Sequence, residues 1–301
     1  MPTTSRTARP KMARYTRKDF DRDFPNDGAC LDWLVSVNYP DGIACQSKTC
    51  GGKVRKHYRV AKRLSYSCDV CGHHVHPMAG TIYEKSSTPL RTWFLAVYLM
   101  STTRTGLSAK WLERQIGVTY KTAWRMFKQI RSMLDEGKPT LGGKGVRVEI
   151  DETYVGGRVR GHENALSNKS VVFGIHERGG RMYAEVVPNV KRRTLTPLIQ
   201  NYVIEGSTIY TDELLTYRML RNQGYPEHVA VNHKRDVFVV GEAHVNNVES
   251  FWGNFKRGVD GAHHRLSPKY LQTYVDEWTF RYNHRRDEMP MFWSMLRQVS
   301  A

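Results

Sequence analysis

Long apolar runs are missing from this chain of 301 residues. None approaches the roughly 20 residues needed to span a bilayer, so neither a membrane helix nor a membrane partner is expected. The amino-terminal stretch MPTTSRTARPKMARYTRK is basic but has no apolar core, which argues against a secretory signal and leaves a cytoplasmic location as the expectation. Acidic residues are scarce relative to basic ones. Asp and Glu number 29 against 46 Lys and Arg, for a formal net charge of +17. That imbalance favours a polyanionic partner, because neutralising phosphates releases condensed counterions. Cysteine is sparse as well: 5 residues, an odd number with clustered spacing. A disulfide framework is thereby disfavoured, and a metal site plus one spare thiol is expected. Internal repeats and low-complexity tracts are also missing, which excludes a repeat array.

What is present suits a folded enzyme or a binding protein of two or three domains. Hydrophobic residues make up 40% of the chain and aromatics 11%, enough for a sizeable core. The overall expectation is a multidomain α+β protein in four parts. Residues 1–42 read as a basic arm leading to a helix with an apolar side at Cys30, Leu31, Trp33, Leu34 and Val37. Residues 43–85 are rich in Gly, Cys and Lys, with short β-like pieces. Residues 86–137 turn helical. After the linker EGKPTLGGKG, residues 138–301 read as an α/β layer domain: VRVEIDETYV, a hairpin turning at Gly179-Gly180, the helix TLTPLIQNYV, the strand STIYTDEL, a short strand near HVAVN and two closing helices.

Cys45-x4-Cys50 and Cys68-x2-Cys71 lie in Gly-rich turns. Two such pairs can converge on one tetrahedral zinc ion. The basic segment between them lowers thiolate pKa and suits contact with phosphate. Cys30, on an apolar helix face, reads as core. In GLSAKWLERQIGVTYKTAWRMFKQIR, Ser108 and Thr119 can cap two helices that break at Gly117-Val118-Thr119. This is helix-turn-helix spacing. Its second helix offers Tyr120, Lys121, Thr122, Arg125 and Lys128 to a DNA groove, with Ala123, Trp124, Phe127 and Ile130 as its buried side.

Three acids complete the candidate set. Asp151 follows the alternating Val146, Val148 and Ile150, Asp212 ends STIYTD, and Glu249 opens a helix. Three converging carboxylates can hold two Mg²⁺ ions about 4 Å apart. Alternation puts Glu149 on the side of Asp151 and turns Glu152 away, so the aspartates are the expected ligands. Within HVNNVESFWGNFKRG, Lys256 falls about 20° from Glu249, two turns along one face, while Phe251 and Phe255 fall opposite. Glu249 could thus reach a metal while Lys256 and Arg257 reach a DNA phosphate.

Taken in order, the cysteine pairs, AGTIYEKSSTPLRTWFLAVYLM, GVTYKTAWRM, EIDETYVGGR, YTDE and HVNNVESFWGNFKRGVDGAHHRLSPKYLQTYVDEWTFRYNHR resemble those of the ISXO-like group. These are bacterial insertion-sequence transposases of the DDE type carrying an N-terminal zinc ribbon. The resemblance covers residues 20 to 290. It implies an RNase H-like catalytic domain with Asp151, Asp212 and Glu249 as a triad binding Mg²⁺ or Mn²⁺, and Lys256 as the basic residue after the glutamate. Some members use asparagine as third ligand, which keeps Asn246 and Asn247 as alternatives. The implied activity is DNA strand cleavage followed by strand transfer, by a nucleoid-associated homo-oligomer that recognises terminal repeats and target DNA. The competing classes are a non-catalytic DNA-binding regulator or inactive remnant, and a nuclease that cuts without joining.

Overall fold

The computed structural model describes residues 14–61, 63–156, 168–231 and 244–300. Most of the expected basic arm lies outside them. Among the described residues, no helix is long and apolar enough to cross a membrane. The chain divides into two compact units, one of residues 1–104, 109–133 and 286–301, the other of 105–108 and 134–285.

In the first unit, α1 (Arg17–Asp23) starts at a capping box between Thr16 and Asp19. Helix α2 (Asp27–Asn38) is capped by Asn26, whose side chain accepts from the Ala29 amide at 3.0 Å. Cys30, Leu31 and Leu34 are buried as their spacing predicts. A small antiparallel sheet of β1 (His57–Arg59), β2 (Tyr66–Cys68) and β3 (His74–Val75) follows. Next come α3 (Leu90–Thr102), α4 (Ala109–Ile116) and α5 (Tyr120–Ser132). Helix α3 buries residues all round, as a central helix must. The last helix, α9 (Met291–Ser300), packs in this unit too: Phe292 stacks on Tyr15 with ring centroids 4.6 Å apart, and Tyr83 hydrogen-bonds Ser300 at 3.0 Å. Residues 286–301, expected in the last domain after two closing helices, instead belong to this unit and carry a third closing helix. Aromatic spacing shows that α9 wants burial but not against what.

The second unit is built on a five-stranded sheet in the order β10-β9-β5-β6-β7. Strands β5 (Arg147–Val155), β6 (Ser170–Glu177) and β7 (Met182–Val187) form an antiparallel meander, turning at Gly179-Gly180 as expected. After a two-stranded pairing of β4 (Leu141–Gly142) with β8 (Val203–Ile204), β9 (Thr208–Thr211) joins β5 in parallel, and β10 (His228–Ala230) joins β9 in parallel. Helix α6 (Arg192–Tyr202) and the 3-10 turn Leu215–Asn222 pack on one face with Val148, Ile150, Phe173 and Ile175. Helices α7 (Asn246–Gly258) and α8 (Leu271–Asn283) cover the other, through Phe251, Trp252, Phe255, Val275 and Trp278. The result is a mixed α/β layer.

Side-chain amides from α8 close the outer edge of β7. Asn283 Oδ1 accepts from the Met182 amide at 2.8 Å, and its Nδ2 donates to the Met182 carbonyl at 3.1 Å. Gln272 Oε1 accepts from the Val186 amide at 2.7 Å, and its Nε2 donates to the Ala184 carbonyl at 3.3 Å. An edge covered in this way cannot template pairing with another strand.

Candidate functional site

In the first unit, the Sγ atoms of Cys45, Cys50, Cys68 and Cys71 all lie within 4.8 Å of one another. Cys45 and Cys71 are 3.6 Å apart and Cys50 and Cys68 3.8 Å. Four sulfurs about 2.3 Å from a zinc ion would be spaced about 3.8 Å along each tetrahedral edge, so this donor set fits zinc. The turns that bring them together need glycine: Gly72, after Cys71, has φ 69°, where a side chain would be strained. A backbone hydrogen bond from His73 and a second bond from Ser47 push the Cys71 thiol down to about 6, whereas burial pushes Cys50 up to about 12. Cys30 is buried and stands outside the cluster.

Helices α4 and α5 are separated by residues 117–119, with Thr119 capping α5 through the Thr122 amide at 3.4 Å. Lys121, Arg125 and Lys128 are exposed, at a spacing that puts them along one stripe. Thr122 is half-buried. The buried side is Ala123, Met126, Phe127 and Ile130. Trp124, expected in that core, is only half-buried, and the Lys128 ammonium lies 6.0 Å from its ring centroid. Met126 takes the interior position, three residues after Ala123 and four before Ile130, on the stripe a helix turns inward.

In the second unit, β5 is paired along its length by β6 but by β9 only over Arg147–Glu149. Beyond that point no strand among the described residues pairs with β5 on that side, and Asp212 follows directly on the end of β9. Asp212 Oδ1 fixes the turn by accepting from the Leu214 amide at 3.0 Å. Asp151, Glu152 and Asp212 each present a carboxylate oxygen within 4.8 Å of the others. Asp151 and Asp212 thus meet as expected. The expectation that Glu152 points away is corrected. Its side chain starts on the α6 face, but with no described strand paired to it on the β9 side, its two methylenes carry the carboxylate to that edge. Tyr217, itself buried, holds it by donating to Oε2 at 2.8 Å. Adjacency of Glu152 to Asp151 was the available signal; nothing local pointed to Tyr217.

Burial pushes the Asp151 carboxyl up to about 8, with the charges of Glu152, Asp212 and Glu249 adding to it and a backbone hydrogen bond partly offsetting it. Glu152 is pushed up to about 7 by burial and the charge of Asp212, against the Tyr217 hydrogen bond. Carboxylates packed this closely suit a hard divalent cation, which offsets their repulsion and takes oxygen ligands.

Glu249, Lys256 and Arg257 are exposed on α7, while Phe251, Trp252 and Phe255 are buried. Glu249 lies outside the 4.8 Å group, near enough for its charge to act on Asp151. Arg257 donates to Asn254 Oδ1 at 2.7 Å. Of the alternative asparagines, Asn246 is exposed at the first position of α7, and Asn247 is committed elsewhere: its amide and Nδ2 both donate to Glu149.

Residues 140–283 match the pattern of the ISXO2-like transposase domain. A protein in transposable element ISH50 of Halobacterium salinarum is 30% identical over 280 residues, 84% of this chain and 91% of that protein. A transposase-like protein of Haemophilus influenzae is 29% identical over 119 residues, 40% of this chain and 93% of its own length. With the acid cluster lying inside the matched segment and one relative matched across nearly its whole length, the chain belongs to the ISXO2-like insertion-sequence transposase family.

Proposed function

We propose that the protein is a DDE transposase that cleaves DNA at insertion-sequence ends and transfers the cut strand to target DNA. The observation that carries the reading is the meeting of Asp151 and Asp212, distant in sequence, at the end of β9 beside α7. A sheet of three antiparallel strands joined by two parallel ones, with helices on both faces, supports an RNase H-like catalytic domain. Asp151, Asp212 and Glu249 hold Mg²⁺ or Mn²⁺, with Glu152 beside them. The bound ions supply activation of the attacking oxygen and neutralise charge on the leaving one. Lys256 and Arg257, on the exposed side of the helix that bears Glu249, engage the DNA phosphate. The four cysteines hold a structural zinc ion. The ribbon and the stripe of Lys121, Thr122, Arg125 and Lys128 bind terminal-repeat DNA, and the enzyme acts as a homo-oligomer on that DNA in the nucleoid.

Strand cleavage and joining on DNA carrying the element's ends, with Mg²⁺, tests the reading. Wild type should cut and join, and Asp151→Asn should lose about 1,000-fold in rate, some 4 kcal/mol of barrier. Equal behaviour of the two would leave a DNA-binding regulator or inactive remnant. Cutting without joined product would leave a nuclease.

A further inference from the structure

We infer that Glu149 is a positioning residue for the metal site, fixing the start of α7, and with it Glu249, against the strand that carries Asp151. The inference rests on the catalytic reading above. Glu149 is fully buried, an expensive place for a carboxylate unless its oxygens are satisfied. They are. Oε1 accepts from Arg178 Nε at 2.7 Å and from Asn247 Nδ2 at 2.7 Å, with His244 Nδ1 at 3.3 Å. Oε2 accepts from the backbone amides of Asn247 at 2.9 Å and Val248 at 3.2 Å.

Those two amides are the second and third of α7, the donors that a helix's own N-cap side chain ordinarily satisfies. Val245 occupies the N-cap position, and its aliphatic side chain makes no capping hydrogen bond to them. Glu149 therefore caps α7 from a strand about a hundred residues earlier, and its charge faces the positive end of the helix dipole. Arg178 reinforces the joint. Besides Glu149 it donates through Nη2 to the His244 carbonyl at 2.8 Å, just before the helix, and its guanidinium lies 4.4 Å from the ring centroid of Tyr210 on β9.

The placement links this cap to the metal ligands. Glu149 and Asp151 are two residues apart on one face of β5, and Asn247 and Glu249 are two residues apart in the first turn of α7. One carboxylate thus ties strand to helix immediately beside both acids. Outer partners of this kind set the geometry of the groups that touch the ion.

Direct Mn²⁺ titration of the full-length protein by calorimetry provides the test, with hydrogen exchange at the amides of Asn247 and Val248 as a second readout. Glu149→Gln keeps the size but turns a donor toward donors. It should raise the Mn²⁺ midpoint about tenfold and remove protection at the start of α7. Val187→Ala, in the core at β7, should lower the melting temperature and leave the midpoint unchanged. If Glu149→Gln does not fold, Arg178→Gln loosens the same joint and should shift the midpoint about threefold. A midpoint no different from that of Val187→Ala in the folded variants would overturn the inference. A shifted midpoint in a protein whose wild type cuts no DNA would sink the transposase activity and leave the positioning role standing. A wild type that binds no Mn²⁺ would remove both.

Discussion

Asp151 on β5 stands directly across the ladder from Gly174 on β6, and the space above Gly174 is filled by the indole of Trp252 from α7. The helix that bears Glu249 rests on the sheet where the sheet bears Asp151. A Cβ at position 174 would meet Trp252 Cζ2 at 2.5 Å and Met182 Cε at 2.7 Å. Gly174→Ala should therefore cost about 1–3 kcal/mol in urea unfolding, the usual range for overpacking a core. It should also lower strand cleavage more than DNA binding, because it lifts α7 from β5. Unchanged stability would show that α7 is not held at this point.

The acid cluster makes stability depend on pH in a defined direction. The folded carboxyls of Asp151 and Glu152 are raised to about 8 and about 7, above their ordinary values of 3.8 and 4.5. Their contribution is fully present below about pH 4 and is lost as pH rises through 7 to 8. With chelator present, Asp151→Asn should melt above wild type at pH 8.5 and closer to it at pH 5. Mn²⁺ should raise the wild-type melting temperature more at pH 8.5 than at pH 5. A wild type and an Asp151→Asn variant that track each other across pH in chelator would count against the clustered charges.

The sulfur cluster predicts one zinc ion per chain by elemental analysis. Cys45→Ser or Cys68→Ser should abolish stoichiometric zinc and unfold the small sheet, since metal binding of this kind is itself folding free energy. Cys30→Ala should leave the zinc content unchanged. A zinc content that follows Cys30 instead would refute the assignment.

On α5, Lys121→Ala and Arg125→Ala should each weaken DNA binding and reduce the slope of log affinity against log salt by about one, as expected when a phosphate contact is lost. Fluorescence anisotropy at several salt concentrations measures this. Slopes equal to wild type would remove the exposed stripe from the DNA interface.

Much of this was legible in local pattern. The cysteine pairs sit in short turns, so their spacing alone restricted where the sulfurs could go. Strand β5 and the hairpin after it follow alternation and glycine, and α7 follows the helical repeat of its aromatics. The misses have different causes. Trp124 and Met126 lie on nearly opposite sides of α5, and the i, i+3, i+4, i+7 spacing of Ala123, Met126, Phe127 and Ile130 puts Met126 inside, a pattern the bulk of the indole obscured. Helix α9 is amphipathic in sequence, but its aromatic partners, Tyr15 and Phe20, lie at the far end of the chain. Alternation turns Glu152 away from Asp151, but it fixes only where a side chain starts, not how far two methylenes carry its carboxylate around a strand edge.

By itself the sequence determined the chemistry available: four thiols in two turns, a run of cations on one helix, and acids on two strand segments and a helix start. Each of those depends on neighbours a few residues away, within reach of backbone geometry. Which acids meet, and which one instead caps α7, was decided only by tertiary structure. The physical reason is that β9 pairs with β5 for three residues and stops. Where that ladder ends determines which side chains share that edge of β5, and no local periodicity encodes the end of a pairing between segments so far apart.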